Sequence, residues 1–128
     1  MGLLNSILGN ASSVSVDEVK KEWGKILAQD EDITVAYKVI RDYIILTPKR
    51  IIFIDVKGLS GKKICINSVP YRQIASFSVQ TAGVMDLNAE LVIYIPGVPV
   101  PLTYTFDKNI NIYEVQAVLA DAIAAAGK

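Results

Sequence analysis

Hydrophobic residues recur with a helical period near both ends of this chain and with a period of two in between. In the first periodic stretch the apolar positions follow at short steps: Val19, Trp23, Ile26 and Leu27. Steps of this size place side chains on one stripe of a helix. Ser15 with Glu18 three residues later forms a capping box at its start. The pattern predicts a helix over residues 15–29, preceded by an apolar tail over residues 1–14.

Between residues 32 and 107 apolar and polar positions alternate, as expected of strands with one face in a core. Glycine, proline and charged turns divide this stretch into seven segments. A second helix is predicted over residues 111–126, with Asn111 as its N-cap. The order of elements indicates one domain over residues 15–128, mainly β, with seven antiparallel strands between two terminal helices.

The second and third predicted strands are apolar on both faces. One pair of faces carries Ile44, Leu46, Ile51 and Phe53, and the opposite pair carries Tyr43, Ile45, Ile52 and Ile54. Because both faces must be covered, we expect the N-terminal helix or another subunit to lie on the second one. Val98 and Val100 stand between prolines, which keep this loop out of a strand ladder. The predicted oligomer or partner interface comprises Ile44, Leu46, Ile51, Phe53, Val98 and Val100.

Composition narrows the classes of function. The chain is 52% hydrophobic with a mean hydropathy of +0.37, which favours oligomerisation or an apolar partner. Thirteen basic residues balance thirteen acidic ones, so we expect no nucleic-acid partner. The chain has no histidine, the usual general base near neutral pH. The sequence therefore predicts a protein that is not an enzyme, with no cofactor and no metal.

Cys65 is the single cysteine, which excludes an intramolecular disulfide and a cysteine metal cluster. Its position between two isoleucines predicts a small core or subcore residue. The run Asp30-Glu31-Asp32 predicts a solvated turn. The connection between strands three and four contains two glycines flanked by Lys57, Lys62 and Lys63. The favoured interpretation of these lysines is a solvated hairpin tip. The alternative is that they contact anions or lipid headgroups.

No signal peptide and no apolar run of about 20 residues is present, so a cytoplasmic protein is predicted. Met1-Gly2 with Ser6 matches an N-myristoylation pattern, which adds the inner face of the membrane as a peripheral location. We favour the other interpretation of this segment, in which the apolar tail packs on its own domain or on a neighbour.

Three segments in order resemble the bacterial pleckstrin-homology (PH) family: RDYIILTPKRIIFID at residues 41–55, GLSGKK at 58–63 and VPYRQI at 69–74. The resemblance implies a PH-like, partly open antiparallel β-barrel of seven strands capped by the C-terminal α-helix, with an extra N-terminal helix. It also implies a tendency to form ring-like homo-oligomers. The basic clamp that eukaryotic PH domains place between strands one and two is missing, since only Arg41-Asp42 lies there.

Three hypotheses of function follow from the sequence. The first is a non-enzymatic homo-oligomeric interaction module, which the two-faced strands and the surplus of apolar residues favour. The second is weak binding to a membrane or to phospholipid headgroups through the three lysines. The third is recognition of an extended peptide at a barrel edge, with the strand that carries Ser76 and Ser78 as the edge.

Overall fold

The computed structural model describes residues 14–39, 41–81, 89–106 and 110–127. The helices and strands are α1 (Val16–Trp23), β1 (Val35–Val39), β2 (Asp42–Leu46), β3 (Arg50–Lys57), β4 (Lys63–Pro70), β5 (Ser76–Gln80), β6 (Ala89–Tyr94), β7 (Leu102–Phe106) and α2 (Ile112–Ala126). Short 3₁₀ turns follow α1 and β4. The seven predicted strands and the two terminal helices are confirmed. The predicted tail, except Val14, and the myristoylation pattern lie outside the described residues.

The strands form two antiparallel sheets. One has the order β1-β2-β3-β4 and the other β5-β6-β7. In the described residues the two sheets are not joined by a strand pairing, so the barrel is partly open. The sheets pack face to face, because Phe106 of β7 contacts Tyr37 of β1 edge-on at 5.8 Å between ring centroids. Farther along β7, Tyr104 stacks on Phe53 of β3 with centroids 3.6 Å apart.

Two apolar cores lie on either side of the four-stranded sheet. The inner core lies between the two sheets and α2, and it includes Tyr37, Ile44, Leu46, Ile51, Phe53, Leu91, Ile93, Phe106, Val115 and Leu119. The outer core lies under α1, and it includes Val19, Trp23, Ala36, Tyr43, Ile45, Ile52 and Ile54. Of the two alternatives that the sequence left open for the second face of β2 and β3, the N-terminal helix is the one that covers it.

The N-terminal helix is shorter than predicted. Ser15 caps it by accepting a hydrogen bond from the Glu18 N–H, but α1 ends at Trp23 and a 3₁₀ turn follows. The backbone beyond it is bound by other groups, since the Ile26 carbonyl accepts from Arg50 and the Ala28 N–H donates to Glu31. These bonds replace the helical ones. The C-terminal helix begins and ends as predicted.

Candidate functional site: edge and loop surfaces

The four strand residues predicted to contact another subunit lie inside the domain. Ile44, Leu46, Ile51 and Phe53 are all in the inner core and are at most 3% exposed. The three-stranded sheet and α2 cover this face, and α1 covers the other, so neither face of β2 and β3 is left for a partner. Contrary to the prediction, these residues stabilise the fold and offer no surface to a neighbour.

The other two predicted interface residues are exposed. Val98 is 47% and Val100 is 72% exposed, in the connection between β6 and β7. Gly97 at φ +81° makes the turn there, and the Val98 N–H donates to the Ile95 carbonyl at 3.1 Å. This loop holds both apolar side chains outward.

The three lysines gather at one end of the β3–β4 hairpin. Lys57 and Lys63 are paired across the two strands, Lys62 lies next to them, and all three are exposed. The fold adds a fourth cation, because Arg41 Nη1 donates to the Gly58 carbonyl at 2.8 Å. The sequence alone did not reveal this neighbour, because the two partners are 17 positions apart along the chain.

Leu59 stands at the tip of the same loop, and sequence reasoning missed it. Its side chain is fully exposed. Gly58 and Gly61 have φ values of +79° and +70°, a region that glycine enters without strain, and the Gly61 N–H donates to the Gly58 carbonyl at 3.2 Å. The sequence signal that could have identified Leu59 is a single apolar residue between two glycines. We call Leu59, Arg41, Lys57, Lys62 and Lys63 the basic tip.

Strand β4 forms one edge of the four-stranded sheet and was also missed as a surface. It pairs with β3, and no second strand pairs with it in the described parts of the chain. Ile64 is 43% and Ile66 is 42% exposed. Cys65 is a free, exposed cysteine, so the prediction that it is a core residue is wrong. Its neighbours Ile64 and Ile66 lie on the same face as their β3 partners Val56 and Ile54, which is the side of α1.

Polar groups line the other face of β4 near the barrel rim. Cys65 is paired with Asp55, and Asn67 with Phe53. The Asn67 side-chain amide donates to the Tyr104 hydroxyl at 3.5 Å. Burial raises the pKa of Tyr104 to about 12, and its hydroxyl accepts the hydrogen bond from Asn67.

Glu31 anchors a buried ionic network, in contrast to the predicted solvated turn. The residue is 4% exposed, and its carboxylate accepts from Arg50 Nη2 at 2.9 Å and Nε at 3.0 Å. Thr47 Oγ1 donates to it at 2.6 Å, and the Ala28 N–H at 2.8 Å. The hydrogen bonds from Arg50 are the largest cause that lowers the pKa of Glu31 from 4.5 to about 2. All these bonds hold the α1–β1 connection on the β2–β3 turn, which is a structural role.

Among the residues that the structure describes, no group of three or more histidine, cysteine, aspartate or glutamate side chains is arranged to hold a metal ion. No helix in those ranges is long and apolar enough to cross a membrane. The edge of β4, the β6–β7 loop and the basic tip are thus the surfaces that the structure singles out.

Comparison with known proteins places this arrangement in a family. The family described as "Bacterial PH domain" matches residues 2–123. The uncharacterized protein YjqA of Bacillus subtilis (strain 168) is 44% identical over 121 residues, covering 94% of this chain and 97% of that protein.

Two crystal structures are similar as well. A DUF1696 family protein with a pleckstrin-homology domain from Shewanella loihica PV-4 has a TM-score of 0.79 and 40% identity, covering 89% of this chain and 97% of that one. A pleckstrin homology domain from Shewanella amazonensis SB2B has a TM-score of 0.79 and 37% identity, covering 95% and 98%. Fold, sequence and coverage agree, and the chain belongs to the bacterial PH domain family.

Proposed function

We propose that this PH-like domain is a non-enzymatic interaction module that assembles with copies of itself. The observation that carries the proposal is the edge of β4, an eight-residue strand whose outward side chains include two half-exposed isoleucines. An edge strand presents a row of unpaired N–H and C=O groups, which is a template for another strand. The exposed Val98 and Val100 add apolar area that a neighbour would cover.

Strand β5 gives a useful contrast, because it is also an edge strand. Its exposed side chains are polar: Ser76, Ser78 and Gln80. Polar side chains lower the gain in free energy when such an edge is buried, whereas burying a half-exposed isoleucine adds roughly 1 kcal/mol. The β4 edge is therefore the better candidate for a contact between copies.

Light scattering after size-exclusion chromatography tests the proposal. We expect a mass above that of the 13.9 kDa chain at tens of micromolar protein. Ile66→Lys places a charge on the β4 edge and should shift the mass toward one chain. Ser78→Lys, the matched change on β5, should leave the mass unaltered. A wild-type protein that stays monomeric throughout this concentration range overturns the proposal.

A second candidate function is contact with an anionic membrane surface, and the basic tip favours it. A fully exposed leucine stands among four cations there. Each basic residue near an anionic surface adds about 1 kcal/mol, and inserting one leucine adds about 2 kcal/mol. Such binding would be weak for one domain and stronger for an assembly, because several tips would act together.

Co-sedimentation with vesicles tests this candidate. Phosphatidylserine vesicles at low salt should carry the protein down, and phosphatidylcholine vesicles should not. Leu59→Asp should abolish the binding. Tyr113→Asp, which changes an exposed aromatic residue on α2, is the matched control and should bind as the wild type does. Equal sedimentation of both variants would exclude the basic tip as the contact.

The third hypothesis, recognition of an extended peptide at the β5 edge, stays a prediction. Its support is that β5 is an edge strand and that α2 packs beside it. A peptide-array screen with the Ser78→Pro variant as control would test it, because proline removes a backbone donor from the edge. Peptides that bind both proteins equally would argue against this edge.

A further inference from the structure

We infer that the basic tip docks on the surface of an anionic bilayer by inserting Leu59, and that Arg41 is the positioning residue that holds Leu59 outward. This inference rests on the second candidate function and adds the class of ligand and the residue that prepares the site. The ligand is the bilayer as a whole, with its negative surface and its hydrocarbon, and not a dissolved phosphorylated headgroup. The turn, its hydrogen bonds and its charges each support this inference.

The connection between β3 and β4 is a tight turn that directs Leu59 away from the protein. The Gly61 N–H donates to the Gly58 carbonyl at 3.2 Å, which makes Leu59 and Ser60 the two central residues of a β-turn. The Leu59 side chain is fully exposed. An apolar side chain in this position gains free energy by leaving water for another apolar phase.

Two hydrogen bonds tie this turn to the β1–β2 connection. Arg41 Nη1 donates to the Gly58 carbonyl at 2.8 Å, the same carbonyl that closes the turn. Arg41 Nη1 also lies 3.8 Å from the position that a Cβ on Gly61 would occupy. Next to it, Asp42 Oδ1 accepts from the Val56 N–H at 2.8 Å, which directs this carboxylate toward β3. The guanidinium of Arg41 therefore lies beside both glycines of the turn and fixes its shape.

The lysines around Leu59 suit a layer of lipid phosphates. Lys57 and Lys63 are paired across β3 and β4, Lys62 is next to them, and all three are exposed. Like charges directly opposite each other destabilise a strand pair, and a negative surface relieves that repulsion. A lysine ammonium is a point charge on a flexible stem, without the planar fork by which arginine selects one phosphate geometry. These lysines therefore respond to surface charge and not to one headgroup.

A dissolved headgroup would engage only part of this arrangement, because it offers negative charge but no apolar phase for Leu59. A bilayer offers both at different depths. The lysines then lie at the level of the phosphates while Leu59 reaches below them. Burial of one leucine side chain should strengthen binding at least tenfold, provided that the turn presents it outward. That presentation is the role of Arg41.

Vesicle titrations with the full chain at low salt test the class of ligand. Phosphatidylglycerol and phosphatidylserine vesicles of equal surface charge should bind the protein with affinities within about twofold of each other. Glycerol phosphate, added at constant ionic strength, should not displace it. A preference of about tenfold or more for one of the two lipids overturns the inference. Displacement by glycerol phosphate overturns it as well.

A double-mutant cycle on phosphatidylglycerol vesicles tests the role of Arg41. Arg41→Met and Lys62→Met each remove one positive charge from an exposed side chain. Lys62→Met should weaken binding about fivefold, the effect of one basic residue near an anionic surface. Arg41→Met should weaken it at least about twentyfold, because Leu59 is then no longer held outward. In a Leu59→Ser background the two changes should have equal effects, since no leucine is left to position.

The outcomes separate this inference from the function on which it rests. A protein that binds no anionic vesicle at low salt overturns both. Binding of Leu59→Ser that equals that of the wild type overturns the insertion of Leu59 and leaves membrane contact intact. Equal effects of Arg41→Met and Lys62→Met in the presence of Leu59 overturn the positioning role. The fluorescence of the buried Trp23 checks that each variant keeps the fold.

Discussion

Replacing Glu31 with glutamine is expected to lower the free energy of unfolding by about 3 kcal/mol near neutral pH. The carboxylate side chain is fully buried and that of Arg50 is 22% exposed, so water screens the pair only weakly. The Glu31 pKa falls from 4.5 to about 2 in the folded protein. Each pKa unit corresponds to about 1.4 kcal/mol, and the shift of about 2.5 units gives the stated magnitude.

The sign of the pH dependence follows from the lowered pKa. The folded state keeps Glu31 charged down to about pH 2, whereas the unfolded state takes up a proton near its ordinary pKa of 4.5. The stabilisation is therefore fully present above pH 4.5 and is lost as the pH falls toward 2. The difference between wild type and Glu31→Gln should shrink from about 3 kcal/mol near pH 6 to about 1 kcal/mol near pH 2.5.

Urea denaturation followed by tryptophan fluorescence measures this difference, because Trp23 is the single tryptophan and lies in the outer core. The matched control is Asp32→Asn. Asp32 is paired with Lys20 at 3.3 Å, but their side chains are 83% and 53% exposed. Exposed pairs contribute roughly 0 to 1 kcal/mol, so this variant should unfold almost as the wild type does.

Two results would refute the reasoning about Glu31. One is a loss of stability in Glu31→Gln no larger than that in Asp32→Asn at pH 6. The other is a difference between wild type and Glu31→Gln that stays constant from pH 6 to pH 2.5. Either result would mean that the lowered pKa of Glu31 does not contribute to the free energy of unfolding.

Three further predictions concern single side chains. Phe53→Ala should cost about 3 to 5 kcal/mol in urea denaturation, because the ring is buried and stacks on Tyr104; a loss below about 1 kcal/mol would contradict its place in the inner core. Tyr71→Phe should cost about 1 to 2 kcal/mol, because the buried hydroxyl donates to the Thr47 carbonyl at 2.6 Å; an unchanged midpoint would show that this bond adds nothing. Gly61→Ala should cost about 1 kcal/mol in thermal unfolding, because its φ is +70°; a gain in stability would refute the argument from the turn.

Much of the fold was predictable because local patterns decide it. Periods of 3.6 and 2 separate helices from strands, and Ser15 and Asn111 mark the helix starts through side-chain caps that the structure contains. The alternation also showed correctly that β2 and β3 are buried on both faces. The resemblance of three motifs to the bacterial PH family then supplied the arrangement of the strands.

The candidate surfaces were less predictable, since they depend on contacts between distant residues. Alternation shows which side chains share a face, but it does not show what covers that face. Ile44 and Phe53 were therefore assigned to a subunit contact, although the second sheet and α2 cover them. Cys65 has the same kind of apolar neighbours as a core residue, yet β4 lies at an edge and leaves it exposed.

Local patterns and composition account for the helices and strands, their order, the neutral overall charge and the absence of histidine. Which polar groups are buried together, and which apolar groups stay exposed, depends on the tertiary packing. Glu31 and Arg50 are 19 residues apart, and their pairing depends on how α1 and its following turn lie across the sheet. Likewise, Ile64 and Ile66 lie on the edge strand β4 and are 43% and 42% exposed, although their partners Val56 and Ile54 on β3 pack in or against the outer core. Packing brings residues that are far apart along the chain into contact, and a local sequence pattern does not show which residues will meet.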